Sequence, residues 1–270
     1  VGGRVVPLLQ LASLGGVSLV TCTQSRVPAR RPTAPVPVTT DGRWVERVRK
    51  GKFDLVFNLV EGIDGEAVYE PMVISVLELL GVPFTGSSSW TTGLTLRKNV
   101  VNGVLDRAGL PVPRWAHVRR GDELTSVGFP AICKPAAEDA SVGIEQRSVV
   151  RSMRALSARV EAMFEGWDEV LIQRFIPGRE VNVGILGDEV LPIAEIDFGQ
   201  MPRGMWHIVS YRSKWETGSD EDLGAKPNCP ADVSEELAGE LTIIARRGPF
   251  EAKFDEKEIK YVEQNLHRDA

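Results

Sequence analysis

The run Phe53-Asp54-Leu55-Val56-Phe57-Asn58-Leu59-Val60 constrains the fold most: it is short, β-prone and apolar enough to lie buried in a parallel sheet. A glycine-bearing loop, Glu61-Gly62-Ile63-Asp64-Gly65, comes next. Over 67–80, Val73, Val76, Leu77 and Leu80 recur at helical spacing, and Gly81 sits where a helix usually ends. Val82-Pro83-Phe84-Thr85-Gly86 then reads as the edge of another strand. Strand, loop, helix and strand in that order predict an α/β crossover unit, because parallel neighbours must be joined across a face of the sheet.

Either side of this unit the pattern changes. In the first fifty residues Pro28, Pro32, Pro35 and Pro37, with Arg26, Arg30 and Arg31, predict an irregular basic loop. After the unit, 91–108 predicts one helix with Leu94, Val101 and Leu105 on a stripe, and Gly109-Leu110-Pro111-Val112-Pro113 predicts a linker. The second half predicts a strand over 128–135, a loop to Gly143, a strand near Val149 and a helix over 152–165. A strand from Glu169 and a hairpin around Gly187-Asp188 follow. The expected class is therefore α/β in the first half and α+β in the second.

The 270 residues suffice for one large or two modest domains. Lys+Arg 32 against Asp+Glu 37 gives a net charge of −5, which argues against a nucleic-acid partner. Cys22, Cys133 and Cys229 are scattered, so neither a disulfide framework nor a zinc site is expected, and a reducing cytoplasm fits. The apolar stretch from Val5 to Val20 is broken by Pro7, Gln10, Ser13, Gly15 and Gly16. It is expected neither to span a membrane nor to act as a signal peptide. The first residue is Val, so the natural start is expected to be processed, omitted or lost.

Three segments carry residue types suited to an anionic nucleotide. Lys134 ends the apolar run Phe129-Pro130-Ala131-Ile132-Cys133, and the loop Ala136-Ala137-Glu138-Asp139-Ala140-Ser141-Val142-Gly143 beside it offers a hydroxyl, a glycine and backbone N–H groups. On spacing alone a solvated surface lysine is the simpler reading of Lys134, and of Lys98 more so. The strip Gln173-Arg174-Phe175-Ile176 with Glu180 supplies a base edge, apolar walls and a carboxylate for ribose hydroxyls. His117, His207 and His267 are isolated and read as surface or loop residues; Cys133 reads as a small buried strand residue.

The order of these segments resembles the ATP-grasp superfamily and, within it, the D-alanine–D-alanine ligase family. Matching text includes Phe84-Thr85-Gly86-Ser87, Leu96-Arg97-Lys98, Ala108-Gly109-Leu110-Pro111-Val112-Pro113, Cys133-Lys134-Pro135 and Ser141-Val142-Gly143. It continues through Glu169 to Glu180, Val183-Gly184-Ile185-Leu186-Gly187, Tyr211-Arg212-Ser213-Lys214-Trp215 and Cys229-Pro230-Ala231. The resemblance implies a pre-ATP-grasp α/β domain over 1–100 and an incomplete ATP-grasp domain over 101–270, with a central subdomain at about 114–190. It implies ATP as cofactor, with Lys98 and Lys134 on the phosphates and Ser141 in the loop closing over them. Gln173, Arg174, Phe175 and Ile176 would hold adenine, Glu180 the ribose, and Lys214 would approach the γ-phosphate. Ser141 and Lys214 would be catalytic and Glu61 would touch substrate.

The implied reaction is ATP-dependent ligation of a carboxylate to an amine, with D-amino acids as substrates, for peptidoglycan precursors. A homodimer is compatible with the family. A non-catalytic ATP-binding remnant and another ATP-grasp peptide ligase are the alternatives. The family also implies Mg²⁺, held by an Asp, a Glu and a later Asn. Here the matching text stops near Arg247, Glu263-Gln264-Asn265 reads as a charged helix surface, and no metal ligands are expected in this chain. Other departures are Ala140 where the family carries a serine, Asn58 where it often carries histidine, and the absence of an acid near Gly2-Gly3-Arg4-Val5.

Overall fold

The computed structural model describes residues 5–10, 36–186 and 189–234. The expectations for Cys22, for Arg26 to Arg31, for Gly187-Asp188 and for everything beyond 234, Glu263-Gln264-Asn265 included, lie outside these residues. The described chain falls into two compact units, one running to Leu96 and the other starting at Arg97.

The first unit contains β1 (Val5–Gln10), β2 (Val36–Val38), α1 (Arg43–Gly51), β3 (Leu55–Leu59), α2 (Glu70–Leu79) and α3 (Ser89–Leu96). Its sheet is parallel throughout, in the order β2-β1-β3. Of the irregular stretch expected in the opening residues, the described parts are two strands and a helix. Pro37 is accommodated because, among the described residues, β2 lies at the edge of this sheet and pairs only with β1. Trp44 and Val48, one helical turn apart on α1, close over Val36, Val38 and Val56, while Val73 and Leu77 of α2 complete the same core. Val56 bridges Phe84 in parallel, which makes 82–86 the strand edge that the sequence predicts. A 3-10 turn over Ala67–Tyr69 precedes α2, and Gly81, with φ +64, ends it in the left-handed conformation.

The second unit opens with α4 (Lys98–Arg107). The single helix expected over 91–108 is therefore two, divided at Arg97. Arg97 leaves the helical region at φ −89, ψ 80, and the Lys98 N–H donates to Ala136 O at 3.0 Å instead of to a carbonyl of its own helix. That partner lies far along the chain, so local apolar spacing carries no trace of the break.

Next come β4 (Trp115–Arg119), β5 (Ala131–Pro135), β6 (Val149–Val150), α5 (Met153–Met163) and β7 (Glu169–Arg174). The strands form an antiparallel sheet in the order β4-β7-β5-β6. Ser152 caps α5 by accepting from Ala155 N, as a serine before an apolar-periodic stretch should. Strand alternation sends Val118, Cys133, Val170 and Ile172 to one face, where Leu156, Val160 and Met163 of α5 bury them. Lys134 and Gln173 consequently point to the other face, with Ile132 and Val149.

The chain continues through β8 (Glu180–Asn182), the small hairpin of β9 (Ile185–Leu186) and β10 (Glu189–Val190), and β11 (Ala194–Asp197). Then come α6 (Tyr211–Trp215), α7 (Asp220–Gly224) and β12 (Lys226–Asn228). Strands β12, β11 and β8 make a second antiparallel sheet. No described helix is long and apolar enough to cross a membrane.

Candidate functional site

Lys134 stands on β5 opposite Leu171 of β7, on the face turned away from α5. Lys98 is the first residue of α4 and is tied to the same strand end through Ala136. Burial is the chief influence on both ammonium groups. Lys98 is brought down to about 8, with Asp139 favouring its charge, Lys134 opposing it and Glu138 favouring it. Lys134 is lowered in the same way, and Glu180 favours its charged form. Glu180, the first residue of β8, is raised by burial, while Lys134 and Lys214 favour its charge. Four segments are thus linked in series, Lys98 to Lys134, Lys134 to Glu180 and Glu180 to Lys214. Burial disfavours charge on the first three, so a polyanion that brought its own charge would relieve the two lysines.

The loop after β5 is bent tightly. Ala140 and Ser141 both adopt positive φ, +46 and +63, a conformation costing about 1–2 kcal/mol per residue for side chains other than glycine. Contacts from 206–215 hold it there. Ser141 Oγ donates to Val209 O at 2.9 Å, Trp215 Nε1 to Ala140 O at 3.0 Å, and Tyr211 N to Ile144 O at 2.8 Å. Arg159, only 7% exposed, reaches up from α5 to donate to Gly143 O at 2.9 Å and to Ser148 Oγ at 3.0 Å. Gly143 has φ +73, and a Cβ there would come within 2.7 Å of Pro135 Cγ and 2.9 Å of the Trp167 ring.

The strip after β7 is more specialised than its composition suggests. Gln173 is almost buried, at 9% exposure, whereas Ile176 is 62% exposed. Arg174 N donates to Arg114 O at 2.7 Å and Phe175 N to Pro130 O at 2.9 Å, so these two donors are already committed within the protein. The Phe175 ring meets Trp206 edge-on at 5.2 Å between centroids, and the Arg151 guanidinium lies 4.5 Å over the Trp206 ring. Glu61 belongs to the first unit, in the exposed loop after β3.

Among the described residues no three His, Cys, Asp or Glu side chains gather as metal ligands. His117, read from sequence as a surface or loop residue, is corrected to a mostly covered strand position on β4, with Nε2 3.3 Å from Glu169 Oε2. Glu169 also takes Arg119 at 2.9 Å and Arg97 at 3.5 Å, directly before Lys98. Burial raises the Glu169 carboxyl, but Arg119, Arg97 and His117 outweigh it and hold the group below its ordinary value. Sequence reasoning passed over Arg159, Gln146 and Glu221, and read Trp206 only as a packing or loop-lining residue. The one available clue was Ser219 three residues before Asp222, a helix-start pattern that marks α7.

The family model described as the D-ala D-ala ligase C-terminus matches residues 104–249, more than half of the chain. The chain belongs to the D-alanine–D-alanine ligase family. A D-alanine–D-alanine ligase of Geobacter sulfurreducens is 32% identical over 191 residues, covering 69% of this chain and 56% of the relative. One of Desulforudis audaxviator is 30% identical over 222 residues, covering 78% of this chain and 68% of the relative. The chain thus spans between about half and two thirds of the length of these curated relatives. A solved structure of the Bacillus anthracis D-alanine–D-alanine ligase complexed with ATP superposes with a TM-score of 0.59 at 19% identity, covering 89% of this chain and 74% of that one. The mixed fold with its two antiparallel sheets is accordingly a partial ATP-grasp architecture.

Proposed function

We propose that the chain binds ATP and acts as an ATP-dependent carboxylate–amine ligase, with D-amino acids as substrates and peptidoglycan precursors as the product class. The observation that carries this reading is the electrostatic coupling of Lys98, Lys134, Glu180 and Lys214 beside the Ser141 loop. Membership of the family and the ATP bound to the B. anthracis neighbour support it.

In this reading Lys98 and Lys134 hold the phosphates and Glu180 takes the ribose hydroxyls. Gln173, Arg174, Phe175 and Ile176 line the base, with Phe175 backed by Trp206. The γ-phosphoryl passes to a substrate carboxylate, the β–γ oxygen bridge breaks, and an amine then attacks the acylphosphate, releasing phosphate and leaving an amide. What the protein contributes is neutralisation of charge where it gathers, supplied by the half-buried Lys98 and Lys134 and by Lys214, together with a closed loop that keeps water from the acylphosphate. Ser141 positions that loop through Val209, and Glu61 would meet the amino-acid substrate. Mg²⁺ would neutralise phosphate charge in such a reaction; the described residues offer no donor set for it, and no step is assigned to it. A cytoplasmic setting and a homodimer complete the proposal, the second to be checked by light scattering.

Calorimetric titration with ATP, with and without Mg²⁺, followed by phosphate release in the presence of single D-amino acids and their pairs, tests the assignment. Binding together with amino-acid-dependent phosphate release is expected. Binding without release under every substrate pair would leave the nucleotide site and overturn the ligase.

A further inference from the structure

Glu221 is the one acid among the described residues that is fully buried, at 2% exposure, and the nucleotide reading gives it no task. Its Oε2 accepts Ser210 Oγ at 2.6 Å and Gln146 Nε2 at 3.2 Å, and its Oε1 faces Arg212 Nη1 at 3.4 Å. These partners come from different pieces of chain. Ser210 is the N-cap of α6, where its hydroxyl also accepts Ser213 N at 3.1 Å. Gln146 lies just past the Ser141 loop, and its amide grips Trp206 from both sides, accepting Trp206 N at 2.6 Å and donating to Trp206 O at 3.2 Å.

Burying a carboxylate costs several kcal/mol unless donors replace the water it loses. The helix that carries Glu221 does not require it, because Ser219 already caps α7 by accepting from Asp222 N. What the carboxylate does is join the end of the nucleotide loop to the start of the helix that bears Lys214. Those two segments also hold the left-handed turn at Ala140 and Ser141.

We infer that Glu221 is a positioning residue, a buried clamp that sets Lys214 at the phosphate end of the site by fixing α6 to the loop through Ser210 and Gln146. The clamp itself is read from geometry; its consequence for Lys214 rests on the proposed nucleotide site.

Hydrogen exchange of the nucleotide-free chain tests the clamp without any appeal to activity. Glu221→Gln keeps the size but turns one acceptor into a donor, and about tenfold faster exchange is expected in 206–224 and 139–146, with β5 and α5 unchanged. Unchanged exchange in those two segments overturns the clamp. Should Glu221→Gln loosen the whole unit, Gln146→Ala decides: local acceleration of 206–224 supports the clamp and no acceleration overturns it.

Positioning is tested by a double-mutant cycle with ATP alone as probe. Lys214→Ala should weaken ATP binding several-fold in the natural background and less than twofold beside Glu221→Gln, whereas an equal loss in both overturns the positioning role. If ATP does not bind the natural chain at all, the nucleotide reading and the role given to Lys214 both fail, and the exchange pattern still decides the clamp.

Discussion

Two charged regions of the second unit are built on opposite terms. Around the half-buried Lys98 and Lys134 and the more exposed Glu180, desolvation works against charge and the ordinary values shift towards neutrality. Around Glu221 the carboxylate is more deeply covered, yet Ser210 and Gln146 donate to it directly and Arg212 stands beside it. The first region would gain from an anion that brings its own charge, whereas the second already has its donors within the protein.

The support beneath the loop is where the largest loss is expected. Gly143→Ala would place a methyl against Pro135 and Trp167 at a left-handed backbone angle that favours glycine. Overpacking and the left-handed conformation together should cost about 3 kcal/mol, read as a lower urea midpoint. A cost near zero would mean that the loop yields readily, and the contrast between a rigid support and a strained cleft would be lost.

Lys98→Met should act in the opposite direction on stability. The folded chain holds the Lys98 proton less tightly than the ordinary value of 10.5, at about 8, so the unfolded chain binds more protons in that window. Stability should therefore rise as pH rises from about 8 to 10.5, and below 8 the full cost of the buried ammonium is present. Removing the charge should add about 1–3 kcal/mol at pH 7 and flatten that slope, while weakening ATP binding by roughly 10–100-fold. Denaturation at pH 7 and pH 9.5, with titration of ATP, reads all three. A destabilised variant would show that Lys98 is satisfied in the resting protein.

What could be read from sequence follows the range of the interactions. The opposite facing of Cys133 and Lys134 follows from strand alternation, which is local, although spacing alone favoured a surface lysine at Lys134. The association of Lys98 with it was legible only through the order of familiar motifs. The break at Arg97 was not, since its cause is the distant Ala136 carbonyl, and nothing in Leu94, Val101 and Leu105 marks it. Prolines hid the strand at Val36–Val38, because an edge position excuses what a central one forbids. Glu221 looked like one acid among three at Asp220-Glu221-Asp222; only packing distinguishes the one that turns inward.

Glu180→Gln probes the cleft more gently. Glu180 favours the charge of Lys134, so its loss should lower that lysine further. With its proposed ribose contact also weakened, ATP affinity should fall about 3–10-fold. The sharper readout is selectivity: any preference for ATP over 2′-deoxy-ATP and 3′-deoxy-ATP should shrink towards unity in the variant. A preference that survives unaltered would move the ribose away from Glu180 while leaving the lysines where they are.

The smallest effect separates the two faces of a single strand. Burial pushes the Cys133 thiol up to about 12, with Arg159 opposing, so the group is a neutral apolar filler in contact with the core of α5. Cys133→Ala should cost about 1 kcal/mol of stability and leave ATP affinity within twofold, although its neighbour Lys134→Met should weaken binding at least tenfold. Both substitutions lie on β5, one peptide apart, so a shared defect of the strand would affect them alike. Equal losses of ATP affinity would mean that Lys134 acts through the integrity of the sheet and not through its ammonium group, because alternation is the only feature that sends the two side chains to different surroundings.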